Sequence, residues 1–411
     1  MALPLADRRD LRQIDWILIA AVMGLVTIGL LLVYSATAIP GSQHEGFHWR
    51  QLTWFGIGIV CAYAVAAIHY RNYDTLAWVG YAISLLLLVA VFFVGVEVYG
   101  AKRWLRIAGF QFQPSELAKL STIFVLARHL DQKRIDLSRA KNWIVPFLIV
   151  IVPMALVLKE PDLATSLSFF VFAVAMMFWA GMPLGTLLLA LSPIMSVGLF
   201  FLTRTEWPFA VLFLGLLGWT RPRMPVLVVL LLVNLAVGIA LPHLWNSLEP
   251  YQRGRIETFL NPGADPTGAG YQVIQSQIAI GSGGPTGVGF LEGTQKGLSF
   301  LPMKHTDFIF SVLGEELGFW GTSLVLLLFA VVCFRGLRIA QMARNAFASL
   351  VAVGVVAVFF YHMLVNILMT LGWAPVAGIP LPLLSYGGTS LVMNCLQIGL
   401  LLNVGIHRHE Y

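Results

Sequence analysis

The chain has 411 residues, 58% of them apolar or aromatic and 11% charged, with a mean hydropathy of +0.81. A soluble domain ordinarily carries about 25% charge, so this balance excludes a water-soluble globular enzyme, a disordered protein and a disulfide scaffold. The formal charge of +6 fits an oriented membrane protein, whose basic residues gather in cytoplasmic loops, better than a nucleic-acid partner.

A membrane span needs about 20 mostly apolar residues, and apolar runs mark candidate helices along the whole chain. Arg8, Arg9 and Arg12 precede the first, at 15–35, and no small-residue cleavage site follows it, which predicts a retained span. Spans at 52–69 and 75–96 come next. Lys102-Arg103-Trp104-Leu105-Arg106 and Gln113-Pro114-Ser115-Glu116 then lead into a span at 116–131 that carries Lys119. Proline ahead of a Ser/Glu pair opens helices, and a helix N-terminus offers free N–H groups to anions. With its basic residues, this segment suits a phosphate or pyrophosphate, or else an interfacial belt anchored by Trp104 and the arginines. After a span at 143–158, Lys159-Glu160-Pro161-Asp162 makes a turn, on its own a charged hairpin. Spans at 163–181, 184–202, 208–220 and 225–243 follow, and 208–220 is short for a bilayer.

Residues 244–306 form one long loop, which ordinarily signals function. It holds the turn formers Asn261-Pro262-Gly263 and Gly281-Ser282-Gly283-Gly284-Pro285. Tyr271, Ile274 and Ile278 recur at helical spacing against Gln272, Gln275 and Gln277, which predicts a short amphipathic helix in the membrane interface. The next span, 307–334, opens on Lys304-His305-Thr306-Asp307-Phe308 and contains Glu315 and Glu316. Asp307 either caps this helix or carries chemistry, since ionisable residues at membrane depth cost several kcal/mol. Glu315 and Glu316 are expected to face the bundle interior and to pair with a base or accept polar groups. In the span at 346–371, His362 and Asn366 stand one turn apart as buried hydrogen-bonding partners. Gly378-Ile379-Pro380-Leu381-Pro382 and Ser385-Tyr386-Gly387-Gly388-Thr389-Ser390 interrupt the entry to the last span, 383–406, and read as close packing. Cys61, Cys333 and Cys395 show no ligand spacing and read as small apolar residues.

Twelve spans place both termini on one side, where most of the 26 basic residues fall, and that side is assigned to the cytoplasm. Scattered outer cations such as Arg50 and Arg204 fit snorkelling to lipid headgroups. The clusters at 102–119, 159–162 and 304–307 fit a binding site for a charged substrate at the outer leaflet. The fold class is therefore all-α, a polytopic helical bundle of about ten to twelve spans with one large ordered outer loop. A single membrane domain covers 1–411, with an extra hairpin region at 184–243.

The motifs in order resemble one family. Lys102-Arg103-Trp104, Gln113-Pro114-Ser115-Glu116-Leu117, Pro161-Asp162-Leu163, Ile274-Gln275-Ser276, Ile278-Ala279-Ile280-Gly281-Ser282-Gly283-Gly284, His305-Thr306-Asp307-Phe308-Ile309-Phe310, Gly314-Glu315-Glu316-Leu317-Gly318, Pro380-Leu381-Pro382 and Ser385-Tyr386-Gly387-Gly388 all appear. By these the chain is identified as a member of the SEDS group, for shape, elongation, division and sporulation. Arg253 to Gly270, then Glu292-Gly293-Thr294-Gln295 before Phe300-Leu301-Pro302, resemble the elongation branch more than the division branch. Two departures stand out: ten spans are usual in the family, and Ala164 replaces the usual glycine after Pro-Asp-Leu.

The resemblance implies a peptidoglycan glycosyltransferase of the bacterial cytoplasmic membrane, with its site facing outward. Its substrate would be lipid II, its partners a class B penicillin-binding protein and the elongation machinery, with no nucleic acid. A hydroxyl of one lipid-linked disaccharide would attack the anomeric carbon of another and expel undecaprenyl pyrophosphate. Asp307 is the expected catalytic base. Lys102, Arg103 and Lys119, with a divalent cation such as Mg2+ or Mn2+ and no organic cofactor, are expected to hold pyrophosphate. Trp104, Gln113, Ser115, Glu116, Asp162, Gln275, Ser276, His305 and Glu316 are expected to bind or position substrate. Competing classes are a lipid II flippase, which should bind near the midplane, and a scaffold, which leaves Glu315 and Glu316 without a task.

Overall fold

The computed structural model describes residues 13–38, 46–68, 70–98, 101–107, 110–133, 135–137, 139–188, 191–192, 250–260, 270–293 and 303–407, with scattered positions from 224 to 245. The chain is a helical bundle. Helices α1 (Trp16–Thr37), α2 (Phe47–Ala67) and α3 (Tyr70–Val94) lead into strands β1 (Val96–Val98), β2 (Ala101–Ile107) and β3 (Phe110–Phe112). Then come α4 (Pro114–Lys133), α5 (Ile144–Lys159), α6 (Leu163–Trp179), α7 (Pro250–Leu260), α8 (Tyr271–Ser282), α9 (Ile309–Met342), α10 (Ala346–Thr370) and α11 (Gly388–Ile406). Seven helices among the described residues are long and apolar enough to cross a membrane, and α6 is a shorter apolar one. The expected spans at 184–202, 208–220 and 225–243 lie largely outside the described residues.

Helix starts follow from side chains that satisfy orphan N–H groups. Asp15 accepts from Leu18 N at 3.0 Å to open α1, and Asn345 accepts from Ala348 N at 2.8 Å to open α10. Asp15 also takes Arg335 of α9 at 2.6 Å, which fastens α1 to α9. Pro114 begins α4 as expected, with Gln113 O accepting Glu116 N at 3.2 Å. The last span starts at Gly388 rather than 383, since Leu383 at φ +65° and Gly387 at φ 170° stand outside helical backbone.

Lipid cannot drive helices together by the hydrophobic effect, so small residues and buried polar groups hold the bundle. Added methyl groups at Gly58 and Gly399 would lie 2.8 Å from Cys395 Sγ and 2.5 Å from Ala62 O, which shows how closely α2 and α11 approach. Asn403 of α11 donates to Ala66 O and Ile68 O at 2.9 and 2.6 Å and so closes the C-terminal end of α2. At the centre stands α10, buried along most of its length, against α4, α6, α9 and α11.

Two features were not expected from sequence. Strands β1, β2 and β3 form an antiparallel three-stranded sheet in that order, with Glu97 opposite Lys102 and Arg106 opposite Gln111. Helix α9 is also broken at Gly318, where φ is 61° and ψ −156°. The segment 283–293 fills this break. Val288 N and Gly289 N donate to the carbonyls of Glu315 and Glu316 at 3.0 and 3.2 Å, while Phe319 N and Trp320 N donate to Gly284 O and Pro285 O at 2.9 and 3.1 Å. The carbonyls of Glu315 and Glu316 and the N–H groups of Phe319 and Trp320, freed at the break, thus find partners. The short helix α8 forms as expected, but the residues it buries are Val273, Ser276 and Ala279, whereas Ile278 is exposed. Packing on α9 selects small residues for contact, and overall hydrophobicity does not choose the face.

Candidate functional site

Asp307 stands just ahead of α9 and is partly exposed. The residue at the helix cap is Phe308, whose side chain makes no capping hydrogen bond, so Asp307 is not the N-cap residue of α9. Its backbone is held on both sides. Asp307 N donates to Met303 O at 3.1 Å, and Asp307 O accepts from Asn366 Nδ2 at 2.8 Å. Asn366 is fully buried and donates equally to Ile379 O at 2.8 Å, which joins segment 378–388 to the turn 303–308. Ser385 Oγ donates to Thr306 O at 2.5 Å, and Tyr386 N to His305 O at 2.8 Å. Gly378, at φ +66°, comes close enough that an added methyl would lie 3.6 Å from Asp307 Oδ2. The stretch read from sequence as packing is therefore the wall of the Asp307 site.

His305 is buried and its ring meets Phe47 and Tyr386 at 5.4 and 5.8 Å between centroids. Phe47 and Tyr386 stack at 4.4 Å. Arg50, expected to snorkel to headgroups, is exposed and lies over Phe47 at 5.5 Å, with its charge acting on the Tyr386 hydroxyl. Burial pushes that phenol above its ordinary range, opposed by Arg50. Gln51 of α2 completes the wall, donating to Ser385 O at 3.0 Å.

One turn down α10 from Asn366, His362 meets Lys119 at 3.1 Å. At about 1.5 Å per residue the two levels are roughly 6 Å apart. Lys119 is 0% exposed and donates to Glu116 Oε1 at 2.8 Å. Lys119, expected to hold pyrophosphate, is thus enclosed, with its charge met by Glu116. His362 Nε2 faces an ammonium donor and therefore acts as acceptor, with the imidazole neutral.

The hairpin and the 159–162 turn, separate in sequence, come together. Arg103 Nε donates to Glu160 O at 3.0 Å, its Nη2 to Pro161 O, and its Nη1 lies 3.6 Å from Asp162 Oδ2. Asp162 also opens α6 by accepting from Thr165 N at 3.1 Å. Tyr361 of α10 donates to Ala164 O at 2.8 Å and ties this turn to the same helix. At the other end of the hairpin, Thr389 donates to Gln111 O at 2.7 Å, beside the Tyr386 wall. Lys102 and Arg106 are exposed on β2, and Trp104 and Gln113 are partly buried.

Ser115 and Ser276 are fully buried. Ser276 Oγ lies 2.6 Å from Ser311 Oγ and donates to Thr370 O at 2.6 Å, while Gln275 is partly exposed. Glu315 and Glu316 are both 1% exposed, and Glu316 Oε1 accepts from Ser35 at 2.5 Å, as an interior carboxylate should. Among the described residues no three His, Cys, Asp or Glu side chains converge to hold a metal ion. Sequence reasoning left Arg50, Gln51, Asn366, Ser385 and Tyr386 outside the site. The signal for Asn366 was present, since a buried amide at membrane depth needs a partner.

A polytopic helical membrane protein that gathers carboxylates and cations around one central helix is the class these observations define. The profile of the FtsW, RodA and SpoVE cell cycle proteins matches residues 15–410, and the chain belongs to that family. It is 38% identical over 381 residues to peptidoglycan glycosyltransferase MrdB of Escherichia coli strain K12, covering 92% of this chain and 91% of that protein. Among solved structures it matches a chain of a peptidoglycan synthase complex that coordinates polymerization and crosslinking, with a TM-score of 0.73 and 31% identity over 97% and 99% of the two chains. Rod shape determining protein RodA of Thermus thermophilus matches with a TM-score of 0.65 and 26% identity over 97% and 98%.

Proposed function

We infer that this chain is a peptidoglycan glycosyltransferase that polymerises lipid II during cell elongation. One observation carries the reading: residues along α10 reach all three charged clusters. Tyr361 holds the first turn of α6, which Asp162 opens and Arg103 of β2 braces, His362 meets Lys119, and Asn366 holds the backbone of Asp307. One rigid helix thus fixes a carboxylate and its surrounding cations, as transfer from a pyrophosphate-linked sugar demands.

In the proposed reaction the acceptor hydroxyl attacks the anomeric carbon of the donor, Asp307 takes the hydroxyl proton, and the glycosidic bond to pyrophosphate breaks with inversion. Arg103 and Lys102 neutralise the leaving group, and His305 with Tyr386 supplies a ring wall for sugar. Lys119, enclosed with Glu116, positions α4 against α10. A divalent cation enters the reading only as a companion of pyrophosphate. Magnesium commonly binds through one or two carboxylates plus substrate phosphates, and no step above depends on it. The site faces the outer leaflet and both termini the cytoplasm, and a class B penicillin-binding protein cross-links the product.

The experiment is glycan polymerisation from purified lipid II, with and without the penicillin-binding partner, comparing wild type with Asp307→Asn. Polymer from wild type and none from a folded mutant is the expected result. No polymer from wild type even with partner and divalent cation would transfer the reading to lipid II flipping.

A further inference from the structure

Glu160 ends α5 at the turn into α6, and the reaction above gives it no task. It is 1% exposed, and neither carboxylate oxygen meets a hydrogen-bond donor. The charged groups acting on it are Arg103 from β2 and Asp162 from its own turn. Tyr361, from α10, commits its hydroxyl to Ala164 O, and Lys159 is exposed. Arg103 does not bond the Glu160 side chain: it holds the main-chain carbonyls of Glu160 and Pro161 and reaches toward Asp162. A carboxylate buried without donors is among the costliest groups a protein can hold, and it takes up a proton instead. Burial, reinforced by Asp162 and opposed by Arg103, pushes Glu160 up to about 8.

We propose that Glu160 is a positioning residue of the transferase site that works in its uncharged, protonated form, which leaves the Arg103 guanidinium committed to the carbonyls of the 160–162 turn and to Asp162. In that form the turn holds one cation, Arg103, and one anion, Asp162. Ionising Glu160 adds a second buried carboxylate, draws the guanidinium off the carbonyls, and leaves net negative charge where pyrophosphate must approach. The link to pyrophosphate rests on the transferase reading; the protonated state of Glu160 does not.

The test uses the full chain with its partner in lipid nanodiscs, as wild type, Glu160→Gln and Glu160→Ala. Glutamine has nearly the same shape, stays neutral at every pH and keeps a donor. Infrared difference spectra, wild type against Glu160→Gln, should show the carbonyl stretch of a protonated carboxylic acid at neutral pH, lost on alkalinisation. Polymerisation by wild type at subsaturating lipid II should fall about tenfold between about pH 7 and about pH 9 as ionisation proceeds. The fall should appear as a rise in KM, with kcat nearly constant. Glu160→Gln should keep the neutral-pH rate without that rise. The proposal is overturned by absence of the acid band, by the same alkaline rise in Glu160→Gln, or by a Glu160→Gln rate as low as that of Glu160→Ala at neutral pH. An acid band with no polymer from any variant retires the transferase reading and the positioning role with it. Polymer without the acid band retires this proposal alone.

Discussion

Gly287→Ala tests whether segment 283–293 plugs the break in α9. Gly287 has φ +83°, and its added methyl would fall 2.0 Å from Glu316 O and 2.4 Å from the carbonyl carbon, both main-chain atoms that cannot swing aside. The left-handed backbone costs alanine about 1–2 kcal/mol. The collision must also push the segment away from the hydrogen bonds at Val288, Gly289, Phe319 and Trp320. The carbonyls of Glu315 and Glu316 belong to the buried residues among these, and each left without a partner costs about 1–3 kcal/mol, so losing both brings the total to roughly 5 kcal/mol. Two neighbours calibrate the number. Gly284, at φ +54°, has nothing within 4 Å of the added methyl, so Gly284→Ala should cost only the backbone term of about 1–2 kcal/mol. Gly281 lies inside α8 with open space beside it, and alanine there should be neutral or stabilising by up to about 1 kcal/mol. The assay is thermal unfolding of the purified variants in one detergent, with polymerisation measured in parallel. Equal midpoints for Gly287→Ala and Gly284→Ala would refute the plugged-break account.

Further substitutions probe the three levels of α10 and its neighbouring turn. Asn366→Leu leaves Asp307 O and Ile379 O without donors and loosens Asp307, the proposed base. Polymerisation should drop about 10- to 100-fold in kcat, with KM much less affected, in steady-state kinetics. Lys119→Met strands Glu116 as a buried charge, which costs about 3–5 kcal/mol, and adding Glu116→Gln should recover most of that loss in a double-mutant cycle of unfolding midpoints. Glu160→Gln should stabilise the protein increasingly as pH rises. The folded group titrates near 8 against an ordinary 4.5. The folded chain therefore binds this proton more tightly than the unfolded chain does. Stability from this group is complete below about 4.5, falls as pH rises, and has reached its full loss above about 8. That loss, on the order of 5 kcal/mol at most, is what glutamine removes. Unfolding midpoints that run parallel for wild type and Glu160→Gln from pH 6 to pH 9 would count against it.

Much of this protein is local and was legible before any coordinates. Span positions follow from runs of apolar residues, because each span must satisfy its own backbone in lipid whatever its neighbours are. Pro114 opens α4 for the same local reason, and the interior setting of Glu315 and Glu316 follows from the cost of charge at membrane depth. Asp307 could be singled out from sequence, but whether it capped a helix could not, since capping depends on where the helix begins.

Tertiary structure decided what pairs with what. Ser35 and Glu316 meet across 281 positions, Lys119 and His362 across 243, and Gln51 and Ser385 across 334, separations at which no periodicity carries information. The short strands of the hairpin, between three and seven residues long, leave too few alternations to announce a sheet. Lys119 and Arg103 look alike as basic residues in one cluster. Only the fold encloses the first with Glu116 and lays the second across a turn. The glycines of 283–293 read as loop formers, and their task of entering the broken α9 exists only once Gly318 has opened it. Sequence by itself determined which groups lipid would force inward, because that cost belongs to each residue separately. Which of those groups satisfy one another was decided by packing around α10, because a hydrogen bond belongs to a pair.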